Sequence, residues 1–401
     1  MSMKTENRRV QMIAYTTYST DARVRREAET IAALPNYSVS VLVLKERPEP
    51  RTYELDGVQV EELDVQKYRG RSMAQYLLSY VRFMLAASLR CARLAFTKRP
   101  DVVHVHNMPN FLVFAAVVPR LAGSKVILDI HDTMIETYAT KFSGWSSRVI
   151  GTALALEESI SARLAHTIIC VNHTQRQAVI DRGIPERKIV VSMNLPDPKK
   201  FSRAESENGS ATNGSFKLVY FGTITKRLGI DLAIRALAQI RDRISGVEFH
   251  VIGSGEDREE FHRLGQELGL DSVVRFSQGA VPLNELVPMV KRMDLVVVPN
   301  RRNIATELML PVKMLEGIAL GLPVVAPRLR TIQYYFQDDQ VFYFEPENVE
   351  SLAAAILKSY EDCERRRQTA ARGMTFLSQY AWDTHKLDLI NAYRSLTATS
   401  H

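Results

Sequence analysis

The strongest constraint in this chain is an alternation that occurs twice: a short run rich in Val, Ile and Leu, then a longer stretch with helically spaced apolar residues. The first half holds "VQMIAY", "VSVLVL", "VVHVH", "KVILDIH" and "TIICV"; the second holds "KLVYFG", "EFHVIGSG", "VVRFSQG", "LVVVPN" and "LPVVAP". Strands that alternate with helices predict parallel sheets with crossover connections, since a parallel return needs a long link over the sheet face. The halves share this architecture with no sequence repeat between them.

A chain of 401 residues is longer than one hydrophobic core ordinarily serves, so two domains are expected. Residues 201–215, "FSRAESENGSATNGS", have no apolar period and read as a linker or flexible loop. That leaves a first domain over residues 1–200 and a second over 216–380. The amphipathic end, residues 381–401, predicts a helix that docks back on the first domain through Trp382, Leu387, Ile390 and Tyr393.

Composition excludes several classes. Cys91, Cys170 and Cys363 are far apart and form no C-x-x-C pair, so neither a disulfide framework nor a zinc site is indicated, and a reducing cytoplasm suits the chain. The N-terminus lacks the apolar run of a signal peptide, and "FLVFAAVVP" falls well short of the roughly 20 apolar residues that span a bilayer. Net charge is +7, and all of the excess sits in the first half: residues 1–200 carry 28 Lys/Arg against 20 Asp/Glu, the remainder 24 against 25. No nucleic-acid partner is implied.

In open parallel sheets ligands bind beyond the carboxyl ends of the strands, where helix N-termini present amide donors. In "VYFGTITKRLGID", Gly222 and Thr223 leave a strand and Lys226 and Arg227 precede a helix: either a phosphate meets both cations there, or the turn is a solvated basic one. In "VIGSGED", Gly253 and Ser254 sit at another strand end, where glycine lets backbone approach a ligand or simply makes a turn. The dinucleotide fingerprint is incomplete, and D-x-D triplets, G-x-S-x-G elbows and Walker loops are absent, which disfavours dehydrogenase, hydrolase and P-loop readings. His131 and Asp132 end the strand "KVILDI" at the mouth of the first domain; they are candidate catalytic groups, or else a helix-entry histidine and an N-cap aspartate. His104 and His106 share one side of their strand, with His106 read as structural support and Asn107 opening the next turn as an acceptor or anion contact.

The segment "LPVKMLEGIALGLPVVAP", with "DVVHVHNMP", "VILDIHD", "YFGTITKRLGIDLAIRAL" and "FHVIGSGED" at matching intervals, resembles the retaining GT-B glycosyltransferases of family four over essentially the whole chain. The resemblance implies an α/β fold of two facing Rossmann-like doubly wound domains with a cleft between them. It implies that Glu316 holds the ribose of a nucleotide-sugar and that the amides of Leu310, Pro311, Val312 and Lys313 approach donor sugar and phosphate, with Lys226 and Arg227 on the diphosphate. It places Gly253 and Ser254 under the ribose, Gln278 to Val281 around the base, and His131 near the reacting carbon. One departure stands out: the family's sugar-reading glutamate falls on Leu308, with Glu307 displaced by one position and a candidate to replace it. The glycine-rich first loop is also replaced, by "TTYSTDARVRRE", where Arg23 and Arg26 either meet an anion or are first-turn surface charges.

From Val65 to Pro100 there are eight Lys/Arg and no Asp or Glu. Helical spacing puts Gln75, Ser79, Arg82, Arg90 and Arg93 on one face and Met73, Leu77, Tyr80, Met84 and Cys91 opposite, so helix 72–96 is expected to present a cationic side to anionic lipid or to solvent.

These readings together predict a metal-independent glycosyltransferase that needs no cofactor and moves a sugar from a nucleotide diphosphate to a glycan or lipid-linked acceptor, in the cytoplasm or on the inner face of the membrane. A sugar-nucleotide epimerase or hydrolase, and a non-catalytic binder on the same scaffold, are the alternatives.

Overall fold

The computed structural model describes residues 7–68, 70, 72–139, 145–202 and 214–398. The chain divides into two compact units, the first of Met1–Asn194 with Asp383–His401, the second of Leu195–Trp382. Most of the expected linker, residues 203–213, lies outside the described residues.

Unit 1 holds β1 (Arg8–Ala14), β2 (Tyr37–Leu44), β3 (Thr52–Leu55), β4 (Val58–Leu63), β5 (Val102–His106), β6 (Lys125–Ile130), β7 (Thr167–Cys170) and β8 (Ile189–Val191). They form one sheet in the order β3-β4-β2-β1-β5-β6-β7-β8, parallel except for the β3–β4 hairpin. The five expected strands are all present, because runs such as "VVHVH" are buried on both faces. The β3–β4 hairpin and β8 were not anticipated; "TYEL" is exposed or half-buried along its length and carries no core-strand signature.

The helices of unit 1 include α1 (Ala22–Ala32), α2 (Met73–Thr97), α3 (Val117–Leu121), α4 (Met134–Ala139) and α5 (Trp145–Leu164). Asp21 caps α1 by accepting the Val24 N–H at 3.0 Å, and Ser72 caps α2 through Gln75. Phe83, Ala87 and Cys91 of α2, Leu112 and Val113 of the turn before α3, and Ala162 of α5 share one core, so these helices cover the same sheet face.

The orientation of α2 buries Tyr80 and Cys91 and exposes Arg82 and Arg93 as expected, and corrects the sequence reading at three positions. Ser79 is buried and Arg90 pairs with Glu61 at 2.6 Å, whereas Leu77 is 55% exposed. The Met73 side chain lies outside the described residues.

Unit 2 holds β9 (Phe216–Phe221), β10 (Val247–Ile252), β11 (Val274–Phe276), β12 (Leu295–Val297), β13 (Val324–Pro327) and β14 (Phe342–Phe344), all parallel, in the order β11-β10-β9-β12-β13-β14. Counted within the unit this is 3-2-1-4-5-6, the doubly wound order whose direction reverses between β9 and β12. β14 was not anticipated. The helix Val312–Ala319 stops at Gly321, whose φ of +78° is the left-handed conformation that closes a helix, and the chain turns there into β13.

The helix Trp382–Thr397 returns to unit 1 apart from its first residue. Leu389, Ile390 and Tyr393 are buried, while Leu387, expected at the contact, is 49% exposed.

Candidate active site

In unit 1 the reversal lies between β1 and β5, and a pocket of about 270 Å³ opens at their carboxyl ends. Its walls come from Tyr15 and Asp21 after β1, Tyr76 and Tyr80 on α2, and His131 and Asp132 after β6. Lys67 also reaches it, and the Tyr15 hydroxyl is fixed 2.6 Å from Ser79 Oγ.

Beneath His131 lies a charged network that the sequence reading missed. Asp129, fully buried on β6, accepts from His131 Nε2 at 2.9 Å and stands 3.1 Å from His106 Nδ1. Strand register sets this up, since β5 and β6 align His106 with Asp129. The Arg23 guanidinium clasps both Asp129 oxygens at 2.9–3.1 Å, lies 2.9 Å from Glu27 and donates to the Ser192 carbonyl at 3.0 Å. The expectation that Arg23 meets a bound anion is therefore corrected: at 4% exposure it neutralises the protein's own carboxylates.

Burial alone would raise the Asp129 pKa, but Arg23 and His131 hold it well below the carboxylate range. Burial would lower the His131 pKa, and Asp129 outweighs that and lifts it. Burial leaves His104 and His106 depressed, and pushes Glu27 up to about 7. His104 stacks on His106 at 4.2 Å and meets the Tyr393 hydroxyl at 2.6 Å, which ties the C-terminal helix to the network.

Asn107 clamps the turn that presents His131. Its Oδ1 accepts the His131 N–H at 2.7 Å and its Nδ2 donates to the Asp132 carbonyl at 2.8 Å, so its amide orients the site's backbone rather than reaching out to an anion. Arg26 is half-buried, with one nitrogen 3.0 Å from Asn194 Oδ1. Glu27, His104, His106 and Asp129 bring ligand-type atoms within 4.8 Å of one another. A cation placed among them would face the Arg23 guanidinium already bound to both carboxylates, an unfavourable like-charge contact.

In unit 2 the loops after β9, β10 and β11 converge. Gly253 has φ +150°, and a Cβ there would lie 1.9 Å from the Gly222 carbonyl oxygen, so only glycine allows the two strand ends to close up. Ser254 accepts the Ile224 N–H at 2.9 Å through its carbonyl, and Ser277 Oγ accepts from Gly253 N–H just before Gln278. Gln278 is exposed and Val281 half-buried.

Lys313, on the first turn of Val312–Ala319, donates to the Tyr220 hydroxyl at 2.6 Å and lies 3.9 Å from the centre of that ring. A Cβ at Gly222 would come 3.1 Å from its Nζ. Burial lowers the Lys313 pKa to about 7, opposed by Glu316 and reinforced by Arg227. Pro311 is buried and precedes the helix, and Leu310, Val312 and Glu316 are half-buried around its start.

The basic pair separates. Arg227 is exposed yet near enough to act on Lys313, whereas Lys226 forms an exposed ion pair with Glu260 at 2.9 Å, over a groove shared with Asp231, Arg235 and Arg301. Thr223 is exposed beside them. Leu308 is buried at 8% exposure, and Glu307, the candidate to replace it, pairs with Arg302 at 3.0 Å and accepts the Arg330 N–H at 2.6 Å.

The signal for Asp129 was present in "DIHD", where a spacing of two puts Asp129 and His131 on one side of the strand. Nothing local marks Tyr15, Lys67, Tyr76 or Tyr80 as neighbours.

Similarity to known proteins agrees with this geometry. Residues 20–194 match the family described as glycosyl transferase 4-like domain, and residues 215–362 the family described as glycosyl transferases group 1. The D-inositol 3-phosphate glycosyltransferase of Corynebacterium urealyticum is 24% identical over 93% of this chain and 89% of its own length. Among solved structures, sucrose-phosphate synthase from Thermosynechococcus elongatus superposes with a TM-score of 0.80 at 18% identity, covering 98% of this chain and 100% of that one. The Anabaena protein HepE, in complex with UDP and glucose, superposes with a TM-score of 0.71 at 15% identity, covering 97% and 100%. With both units matched in order and two Rossmann-like sheets in place, the chain belongs to the group 1 glycosyltransferases of the GT-B fold.

Proposed function

We propose that this glycosyltransferase uses a nucleotide-diphosphate sugar bound by unit 2 and transfers the sugar, with retention at the anomeric carbon, to a hydroxyl held in the unit 1 pocket. The acceptor is a glycan or lipid-linked glycan, in the assembly of an envelope polysaccharide at the cytoplasmic face of the membrane. In the transfer, the bond from the anomeric carbon to the diphosphate oxygen breaks and its electron pair leaves with the diphosphate. The acceptor oxygen forms the new bond, and its proton passes to the departing phosphate.

The observation that carries this reading is Lys313 between Tyr220 and Gly222, at the point where the unit 2 sheet reverses direction. Its hydrogen bond goes to a neutral hydroxyl, Arg227 lies nearby, and the helix start adds amide donors. Such a concentration of pre-placed positive charge stabilises a departing diphosphate without reorganisation, which supports a metal-independent reaction. Glu316 follows Lys313 by three residues, on the same face of the helix, and is assigned to the ribose hydroxyls. The HepE complex with UDP and glucose favours a uridine nucleotide as the first donor to try.

In unit 1, three tyrosines, Asp21, Asp132 and Lys67 around the pocket suit a polyhydroxyl ring, which stacks on aromatic faces and exchanges hydrogen bonds with carboxylates. His131, whose pKa Asp129 lifts and whose backbone Asn107 fixes, is assigned to donate a hydrogen bond to sugar or acceptor oxygen. Asp132 is assigned to the acceptor hydroxyl.

The test is a thermal-shift screen of nucleotide-sugars, followed by nucleoside-diphosphate release measured with and without glycan acceptors. Release that depends on acceptor is the expected result. Free sugar without acceptor identifies a hydrolase, and selective binding without turnover identifies a binding protein.

A further inference from the structure

Thirteen large apolar side chains are exposed among the described residues, and nine of them lie on α2, α3 and α5 of unit 1. These helices cover one sheet face and share one core, so their outer sides belong to the same layer. Isolated surface leucines need no explanation, but a concentration of this kind does.

On α2 the exposed stripe is Leu78, Arg82, Leu85, Leu89, Arg93 and Phe96, which at about 100° per residue falls within roughly 80° of arc. Leu89 is 73% and Phe96 83% exposed, on the side away from the fully buried Phe83, Ala87 and Cys91. α3 adds Leu121, 83% exposed, and α5 adds Leu156 at 60%. The charges in this layer are one-sided. No acidic residue occurs from Val65 to Pro100, where eight are basic, and the two glutamates of α5 serve the interior: Glu158 binds Arg182 at 2.6 Å and Glu157 accepts from Asn110 at 3.1 Å.

We propose that the outer side of α2, α3 and α5 seats unit 1 on the surface of an anionic lipid bilayer. Leucine and phenylalanine side chains enter the boundary between headgroups and acyl chains, while Arg82 and Arg93 extend along it to lipid phosphates. A second copy of this chain is disfavoured as the occupant, because a two-fold interface would bring the same cations face to face. The first turns of α2 also supply Tyr76 and Tyr80 to the unit 1 pocket, so the helix that meets the lipid leads to the acceptor site. That last link rests on the functional reading above; the membrane contact itself does not.

The test is flotation of the full-length protein with phosphatidylcholine vesicles, with and without phosphatidylglycerol, across salt concentrations and without nucleotide. Retention only on the anionic vesicles, weakened by salt, is expected. Arg82→Gln lowers the partition about fivefold, and Arg82→Gln with Arg93→Gln about 25-fold, as roughly 1 kcal/mol per cation requires. Leu85→Ser with Leu89→Ser abolishes retention while the melting temperature and nucleotide-sugar binding are unchanged, since these side chains face outward. Failure of the wild type to float, or equal flotation of all the variants, overturns the proposal. A dimer in light scattering that the leucine variant dissociates, with no flotation, assigns the surface to self-association instead. Flotation that persists when no nucleotide-sugar binds leaves the membrane surface standing and rejects the functional reading alone.

Discussion

The two strand-end sites of this enzyme treat buried charge in opposite ways. In unit 1, Arg23, Asp129 and the histidines neutralise one another beneath the pocket, and of these His106 and His131 reach its wall. In unit 2, the cationic group at the strand ends is Lys313, hydrogen-bonded to a tyrosine hydroxyl and depressed to a pKa of about 7. A network of paired charges fixes the geometry of a side chain, whereas a desolvated cation on a neutral partner is poised to gain an anion. On that contrast rests the proposal that unit 1 orients and unit 2 attracts.

The largest expected effect breaks the first half of the comparison. Asp129→Asn leaves a buried guanidinium without its main counter-charge and costs about 3–5 kcal/mol in denaturant melts. Because the folded pKa of Asp129 is depressed, its stabilisation is complete above the ordinary carboxylate range and fades as pH falls toward its folded value. The acid limb of the wild-type stability curve should therefore flatten in this variant, and the His131 pKa should fall in an NMR titration.

In unit 2, Lys313→Ala removes a charge-assisted contact and weakens nucleotide-sugar binding by about 10- to 100-fold in calorimetry, with little loss of stability. Gly253→Ala forces a Cβ against the Gly222 carbonyl and costs about 1–3 kcal/mol of stability together with donor affinity. Loss of stability with full affinity would detach Gly253 from the site.

The pH dependence of donor binding sharpens the contrast further. Below about pH 7 Lys313 is charged before the donor arrives, so affinity is flat; above it, binding must take up a proton, and affinity falls as pH rises. Lys313→Arg should remove that slope. The smallest effect is expected for Lys226→Ala, whose exposed pair with Glu260 is screened by solvent and whose loss should leave donor affinity within about fivefold. A larger loss would return Lys226 to the diphosphate.

Much of the fold was legible because it is written in local periodicity. "VVHVH" and "KVILDI" are strands by composition, and Gly321 marks a helix end by its position before "LPVV". Short or half-exposed pieces such as β3 and β14 were not, since their pairing comes from neighbours rather than from their own pattern. In the proposed site, His131 was marked by its place at the end of a strand, and Lys313 and Glu316 by the family resemblance. Arg23 was misread because its partner is 106 residues away, and helical spacing set Tyr80 and Cys91 of α2 on the buried side but misplaced Ser79 and Leu77.

The sequence by itself determined two α/β sheets, the loops that end at their carboxyl edges and the one-sided charge of residues 65–100. Only the tertiary structure decided that Asp129 is the hub beneath His131, that Arg227 rather than Lys226 acts on Lys313, and that leucines and arginines share the outer side of α2. The physical reason is range. Backbone periodicity and turn chemistry act over a few residues, while the partner of a buried charge depends on the register of strands and helices distant in the chain.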